Sequence, residues 1–396
     1  MSREVILPTV NRRQALIHSE SYKFAVRGGA VLLLCAVLFA FITQAVRAEN
    51  VIPVKPSETV YIAPPAPRVR QLRATTGEVC FAQIGSGATF SSTDSTAVQQ
   101  AVDAAVANDL VKVAGTCTGT QLRNDNSQVY NQVVFISNTL TLQGGYQTWN
   151  WIVSDPVFNP TTLDALGAGR VIYIQTGHTV TVSALTLSNG AIDLANCKPD
   201  CVGAGVFVPF NSNVVIDTII ASNNNAGFGG GVGNMGLVTV TNSVFISNSA
   251  LQVGGGLYNF ETMLLSTSVL TGNQAGAGGA GLGNQGVLTV TDTTISDNTS
   301  FKVDGGGGLL GTGGAIQNTK DDFQTNDSVA AIINTTIAAN HANGANDKGG
   351  GGIMVFFGTV NLLNSTLSGN TTSSKDFMAY SGLGAGGIGK QTNATT

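Results

Sequence analysis

Charge is scarce in this chain: of 396 residues only 11% are Asp, Glu, Lys or Arg, against about a quarter in ordinary soluble domains. No arginine follows Arg170, and residues 171–396 hold two histidines, His178 and His341, and six lysines. Cations so thinly spread cannot line a phosphate backbone, so no nucleic-acid partner is expected. Proline, at 10 residues, is too rare for collagen, and a 43% hydrophobic content excludes a disordered polar chain. What is abundant is glycine, with 50 residues.

The few charges are unevenly placed. Residues 1–75 hold ten Lys/Arg and four Asp/Glu, whereas residues 76–396 hold nine and nineteen, so the larger part is acidic. Arg3, Arg12, Arg13, Lys23 and Arg27 precede an apolar run from Gly28 to Val46. Val46-Arg47-Ala48 then places small residues where a signal peptidase reads. This predicts a secretory signal over residues 1–48, the alternative being an uncleaved signal anchor. Residues 49–75 hold five of the prolines and no periodicity, which predicts an extended linker. Either way, residues 76–396 are expected outside the cytoplasm, secreted or at the cell surface or outer membrane.

Five cysteines are present, and Cys35 lies in the apolar run. The remaining four are an even number in an exported chain, which predicts disulfides. Cys80–Cys117 with Cys197–Cys201 is the preferred pairing of three. The spacing Cys197-Lys-Pro-Asp-Cys201 lacks the second Cys pair or nearby His that a tetrahedral zinc site needs, so no metal or other cofactor is expected.

Six segments share one pattern: 218–223, 243–248, 268–273, 293–298, 335–340 and 365–370, ending in Asn223, Asn248, Asn273, Asn298, Asn340 and Asn370. A period near 25 residues is the mark of a solenoid. Eight places before the asparagine stand Val215, Val240, Leu265, Val290, Ile332 and Leu362. Three before it stand Ile220, Phe245, Leu270, Ile295, Ile337 and Leu367, and six before it Asp217, Asn242, Thr267, Asp292, Asn334 and Asn364. Two short alternating β-runs joined at a polar corner explain these columns, and helical spacing does not. Glycine triplets follow at 229–231 and 254–256, and Gly279-Ala280-Gly281 matches them, as sharp repeated corners require. Asn234, Asn259 and Asn284 then recur. Coils stacked at about 4.8 Å bring each asparagine onto the next, so both asparagine columns are expected to form structural amide ladders. The predicted fold is all-β, a right-handed parallel β-helix. A short N-terminal capping helix starts at Asp94 or Ser95 and buries Val98, Ala101, Val102, Ala105 and Val106.

These repeats resemble those of polymorphic outer membrane proteins, through Gly313-Gly314-Ala315-Ile316 and Phe245-Ile246-Ser247-Asn248. The earlier segments 140–146, 161–174 and 180–190 resemble secreted β-helix proteins of the pectin-lyase-like superfamily. The resemblance spans about residues 76–396 and implies surface display and often adhesion. Pectate lyases of that fold use an acidic Ca²⁺ cluster with a basic residue, and polygalacturonases use several aspartates with His and an Arg-x-Lys segment. Residues 171–396 contain no Arg-x-Lys, and their acids are scattered.

The densest acidic group is Asp321, Asp322 and Asp327, with Lys320 and Asp304, in the insertion between Asn298 and Asn340. These three aspartates are the candidate catalytic acids, against the plainer reading of a solvated loop. Asp217 and Asp292, sharing a corner column, are second candidates. Tyr146, Trp149 and Trp151 could stack on a sugar or pack their loop onto the helix. Gly283 stands where a calcium-roll nonapeptide carries its metal-binding Asp, so no Ca²⁺ ladder is expected. The functional expectation is a non-enzymatic surface protein in adhesion or envelope structure, with a glycan or surface protein as partner. The alternative is a carbohydrate-active enzyme or sugar-binding module. The last coil, around Leu362–Leu367, shows no cap in the sequence, which predicts that it is covered either by a partner or by self-association. Lys390, at the place of Asn234, would oppose stacking as an edge charge.

Overall fold

The computed structural model describes residues 80–125, 128–194, 201–301, 316–318, 328–343, 350–355, 358–372 and 388–390, all within one compact unit, Leu72–Thr396. The expected signal and linker, Cys197, and the insertion residues Asp304, Lys320, Asp321, Asp322 and Asp327 lie outside the described residues.

The chain folds as a parallel β-helix. A representative coil runs from Leu237–Thr241 to Val244–Ile246, then Ser249–Val253, then Leu257–Asn259, before the next coil opens at Thr262–Ser266. Each segment pairs in parallel with its counterpart one coil away, for instance Val240 with Leu265 and Phe245 with Leu270. The segments stack into four sheets, of 11, 9, 10 and 6 strands among the described residues. We refer to these as the first, second, third and fourth sheets. The two alternating runs read from the sequence are the first- and second-sheet strands; the short strands on either side of the glycine corner, such as Gln274–Ala275 and Leu257–Asn259, show no alternation. Alternate residues of the first-sheet strands are buried, so Val238, Val240, Met263, Leu265, Leu288 and Val290 fill the interior.

Two of the corners are left-handed at every coil. Between the first and second sheets stand Thr218, Asn242, Thr267, Asp292, Asn334 and Asn364, with φ of 49–54°. After the second sheet stand Asn223, Ser247, Gly272, Asp297, Ala339 and Gly369, with φ of 52–64°. The third corner is built on glycine: a Cβ on Gly231 would meet Gly256 O at 2.6 Å, and one on Gly256 would meet Gly281 O at 2.6 Å. Neighbouring coils therefore touch backbone to backbone there, which only glycine permits.

This register corrects the first column of the sequence alignment. The ladder residue of that coil is Asn224, fully buried, and not Asn223, which is exposed at the left-handed corner. The coil is one residue shorter than its neighbours, and three consecutive asparagines, 223–225, concealed the offset. The correction carries through: Ala221 pairs with Phe245 and Ile216 with Val240, so Ile220 and Val215 are not the inward residues. Asp217 pairs with Thr241, so it does not share the corner column of Asp292.

The ladder itself is continuous. Asn224 Nδ2 donates to Asn248 Oδ1 at 2.9 Å, Asn248 to Asn273 at 3.1 Å, and Asn273 to Asn298 at 2.9 Å. Asn298 reaches Asn340 at 2.9 Å and Asn340 reaches Asn370 at 2.9 Å, across sequence separations of 42 and 30 residues. Each Oδ1 also accepts the backbone N–H of the preceding ladder asparagine, as Asn273 Oδ1 does from Asn248 N at 3.0 Å. The second amide proton goes to a backbone carbonyl, as from Asn273 to Phe245 O at 2.9 Å. A second ladder joins Asn234 to Asn259 and Asn259 to Asn284, each at 2.7 Å.

The N-terminal end is closed by more than a helix. Strand β1 (Cys80–Ile84) pairs antiparallel with both β2 (Thr89–Ser92) and β3 (Asp109–Ala114), the first parallel member of the first sheet. This hairpin covers an edge that would otherwise offer unpaired N–H and C=O groups. Helix α1 (Thr96–Ala104) buries Ala97, Val98, Ala101 and Val102 against it, and Ala105 is buried just beyond. Val106, expected on the same face, is exposed because the chain leaves the helix in an extended conformation at Ala105. Ser95 holds the N-cap position, yet its hydroxyl donates to Gly119 O at 2.8 Å. The helix amides are satisfied instead by Asp94 Oδ1, on Thr96 N, and Ser92 Oγ, on Ala97 N. A disulfide between Cys80 and Cys117 ties β1 to the second sheet. Cys201 is also disulfide-bonded.

At the other end the strand Thr359–Leu363 is the last described member of the first sheet, with Leu362 and Leu363 exposed and Val360 and Leu367 half-buried. Lys390 falls in register with Val355, and so in the column of the second ladder.

Denaturation midpoints check this register. Asn224→Ala, which leaves buried amide partners unmatched, is expected to cost about 2–4 kcal/mol. Asn223→Gly, at an exposed left-handed position, should cost under about 0.5 kcal/mol. Phe245→Ala, at a fully buried site, should cost about 3–5 kcal/mol. Equal losses for the two asparagine variants would refute the register.

Candidate functional site: an aromatic cleft on the third sheet

The third sheet carries a row of large rings on the side facing away from the interior. Its first coil is extended by a hairpin in which Gln121–Asp125 pairs antiparallel with the front of Gln128–Ile136. Parallel pairing then sets Phe135 beside Tyr173, and Tyr173 beside Phe207. Phe135 stacks on Tyr173 with centroids 5.3 Å apart and planes 6° from parallel, and Tyr173 meets Phe207 at 5.4 Å. The hairpin extension brings Tyr130 onto Tyr173 at 4.3 Å. With Val202, Val253 and Tyr258 these rings make a second, smaller apolar cluster, separate from the interior.

Arg170 is the charge within it. The residue is 5% exposed, and its guanidinium lies 5.4–5.8 Å from the centroids of Tyr130, Tyr173 and Phe207. It also donates to Val202 O at 3.3 Å. A guanidinium ringed by aromatic faces is stabilised by their quadrupoles and holds them in place.

Beside the rings opens a cleft of about 250 Å³ lined by Asp125, Gln128, Tyr130, Tyr173, Thr176, Val202, Phe207, Pro209, Phe210 and Met235. Tyr173 and Phe207 are buried, Tyr130 and Met235 half-buried, and Phe210 is 44% exposed and braced edge-on by Phe260. Asp125 is the one carboxylate among the described lining residues. It is held by Gln175 Nε2 at 2.9 Å and by the Tyr173 hydroxyl at 3.4 Å. Ring faces carry negative potential that meets polarised C–H groups, while an ionised carboxylate only accepts hydrogen bonds. The arrangement suits a small ring bearing hydroxyls: one face on the aromatics, its edge on Asp125.

The residues singled out from the sequence fall elsewhere. Asp321, Asp322 and Asp327 lie outside the described residues. Asp217 accepts from Thr241 at 2.6 Å, Asn242 at 2.8 Å and Thr218 at 3.0 Å, as part of the corner scaffold. Burial pushes its carboxyl up, but the bonds from Thr241, Asn242 and Thr218 together hold it below the usual value. Asp292 sits at its left-handed corner, where its backbone N–H donates to Ile333 O at 3.2 Å. His178 is half-buried in a turn where its carbonyl accepts from Asn213. Tyr146 packs on Trp151 and under Lys112 of β3 rather than on the helix, while Trp149 faces outward. No group of three His, Cys, Asp or Glu close enough to hold a metal occurs among the described residues.

The rings of the cleft had no repeat to announce them. Tyr130, Tyr173 and Phe207 come from the early coils, whose unequal lengths keep them out of the 25-residue alignment. The signal available was the apolar run Val171–Ile174, in which every residue is buried, as in a strand covered on both faces. The chain matches no family model, no curated protein and no solved structure.

Asp217 supplies a pH test of the scaffold. Its carboxyl is depressed in the folded state, so its contribution is present above the unfolded value, about 3.9, and is lost as pH falls through the folded value. The gap in urea midpoint between wild type and Asp217→Asn should therefore be larger at pH 7 than at pH 3. An equal gap at both pH values would contradict this role.

Proposed function

We propose that the protein is exported and acts outside the cytoplasm by binding, in adhesion or envelope structure, with the aromatic cleft as its glycan-binding site. The reading of export rests on the basic segment and apolar run before Val46-Arg47-Ala48. The disulfide Cys80–Cys117 is in keeping with it, since such bonds persist in oxidising compartments. Kinship with pectin-lyase-like proteins and with polymorphic outer membrane protein repeats belongs to the same proposal. It is supported by the coil period, the glycine corners and the asparagine ladders.

The observation that carries the binding reading is the cleft itself. Its rings are fixed by stacking and by Arg170 before any ligand arrives, so little ordering cost attaches to binding. The cleft is smaller than the roughly 300–1,000 Å³ of drug-sized pockets, which suits one terminal sugar ring. Hydrolysis of a glycoside needs two flanking carboxyl groups, and the described cleft brings one, Asp125. We also propose self-association through the C-terminal coil, where Leu363 is 55% exposed on the last described strand of the first sheet.

A glycan array followed by calorimetry tests the cleft. Tyr130→Ala and Phe210→Ala, both at partly exposed positions, are each expected to weaken binding of the best glycan about tenfold, near 1.4 kcal/mol. Thr239→Ala, on a distant strand, should leave it unchanged. Undiminished affinity in both cleft variants would remove the site.

A further inference from the structure

The loop between the strands Leu140–Gln143 and Thr162–Asp164 holds large apolar side chains in water. Trp149, Ile152, Val153, Val157 and Phe158 are 79%, 87%, 62%, 81% and 81% exposed. Surface loops ordinarily present polar residues, and a clustered apolar display marks a contact surface.

The loop is also braced. Asp155 N donates to Gly145 O, Asn159 N to Asp155 O, and Asp155 Oδ1 accepts from Val157 N and Phe158 N. Ser154 Oγ donates to Gly144 O at 2.7 Å, and Lys112 Nζ donates to Trp151 O at 2.6 Å. Gly145 turns at φ +82°, where a Cβ would lie 2.6 Å from Ser154 Oγ. The polar groups of the loop are thus spent on fixing its backbone, and its apolar side chains are left pointing out.

We propose that this loop inserts its apolar tip into the interfacial region of a lipid bilayer. The residue types are those of a membrane interface: a tryptophan, a phenylalanine and branched aliphatics, without a cation among residues 144–161. That composition fits uncharged lipid headgroups, because the loop offers nothing for an anionic one to pair with. A projecting tip of five side chains falls short of the roughly 800 Å² per partner of a standard protein interface.

The chain has two tryptophans, and both are in the loop, so selectively excited tryptophan fluorescence reports on it alone. The full-length protein is titrated with phosphatidylcholine vesicles, with and without brominated acyl chains. The expected result is a blue-shifted emission that brominated lipid quenches, unchanged when a fifth of the lipid is phosphatidylglycerol. The double variant Ile152→Ser/Phe158→Ser, with an unchanged urea midpoint, should show quenching reduced at least threefold. Vesicle co-sedimentation with unquenched tryptophan would mean that the N-terminal run binds alone, and would overturn the proposal. So would an emission shift that follows protein concentration without vesicles, since the occupant would then be a second copy. Because the cleft shares no residue with the loop, loss of glycan binding leaves this result unaffected.

Discussion

From Asn224 to Asn370, six successive coils each bury an asparagine whose amide has no water to turn to. Its oxygen must find two donors and its nitrogen two acceptors inside the protein, and the neighbouring coils supply them. A buried amide left short would cost about 1–3 kcal/mol per group, so the ladder works only when successive coils lie in one register. The left-handed corner just before it and the glycine corner after it follow from that demand. One turns the chain so that the asparagine points inward, and the other lets adjacent backbones close to contact. Insertions are tolerated because they leave from between these fixed points: the ladder crosses separations of 42 and 30 residues as easily as 25.

That same regularity explains where function can sit. The late coils repeat the same outward positions, mixing hydroxyl residues with exposed aliphatics such as Leu264, Val269 and Val287, and offer little to distinguish one position from another. The early coils break the period. Their hairpin extension, long loop and aromatic strands produce the two unusual surfaces, the cleft around Tyr173 and the apolar loop around Trp149. The proposed glycan site and the proposed bilayer contact both depend on side chains fixed before binding, the first by ring stacking and the second by backbone hydrogen bonds.

The fold was legible in the sequence because aliphatic, polar-corner and asparagine columns recur at fixed distance, and each column has a physical job. The error at Asn223 shows the limit of that method. Asparagine suits both the left-handed corner and the ladder, so a run of three gives no local reason to prefer one register. Only pairing with Asn248 decides it. The fourth sheet was hidden because its strands, such as Gln274–Ala275, are too short to show alternation. The closing hairpin Cys80–Ser92 pairs antiparallel, as does the extension Gln121–Ile136, against the parallel rule of the repeated coils. The cleft was missed because its rings converge from segments that share no spacing. Residue type alone pointed to the acids at 321, 322 and 327, whereas Tyr173 becomes meaningful only once Tyr130 and Phe207 are seen against it.

The central claim is that the asparagine ladder holds successive coils in one register as a single cooperative element. Hydrogen exchange measured by NMR reads it directly, at the backbone amides of Asn224, Asn248, Asn273 and Asn298 and at their side-chain NH₂ groups. These sites should exchange together, with protection matching global unfolding and far above that of Asn223. Rapid exchange of the side-chain amides of Asn248 and Asn273 in the native protein would contradict the account.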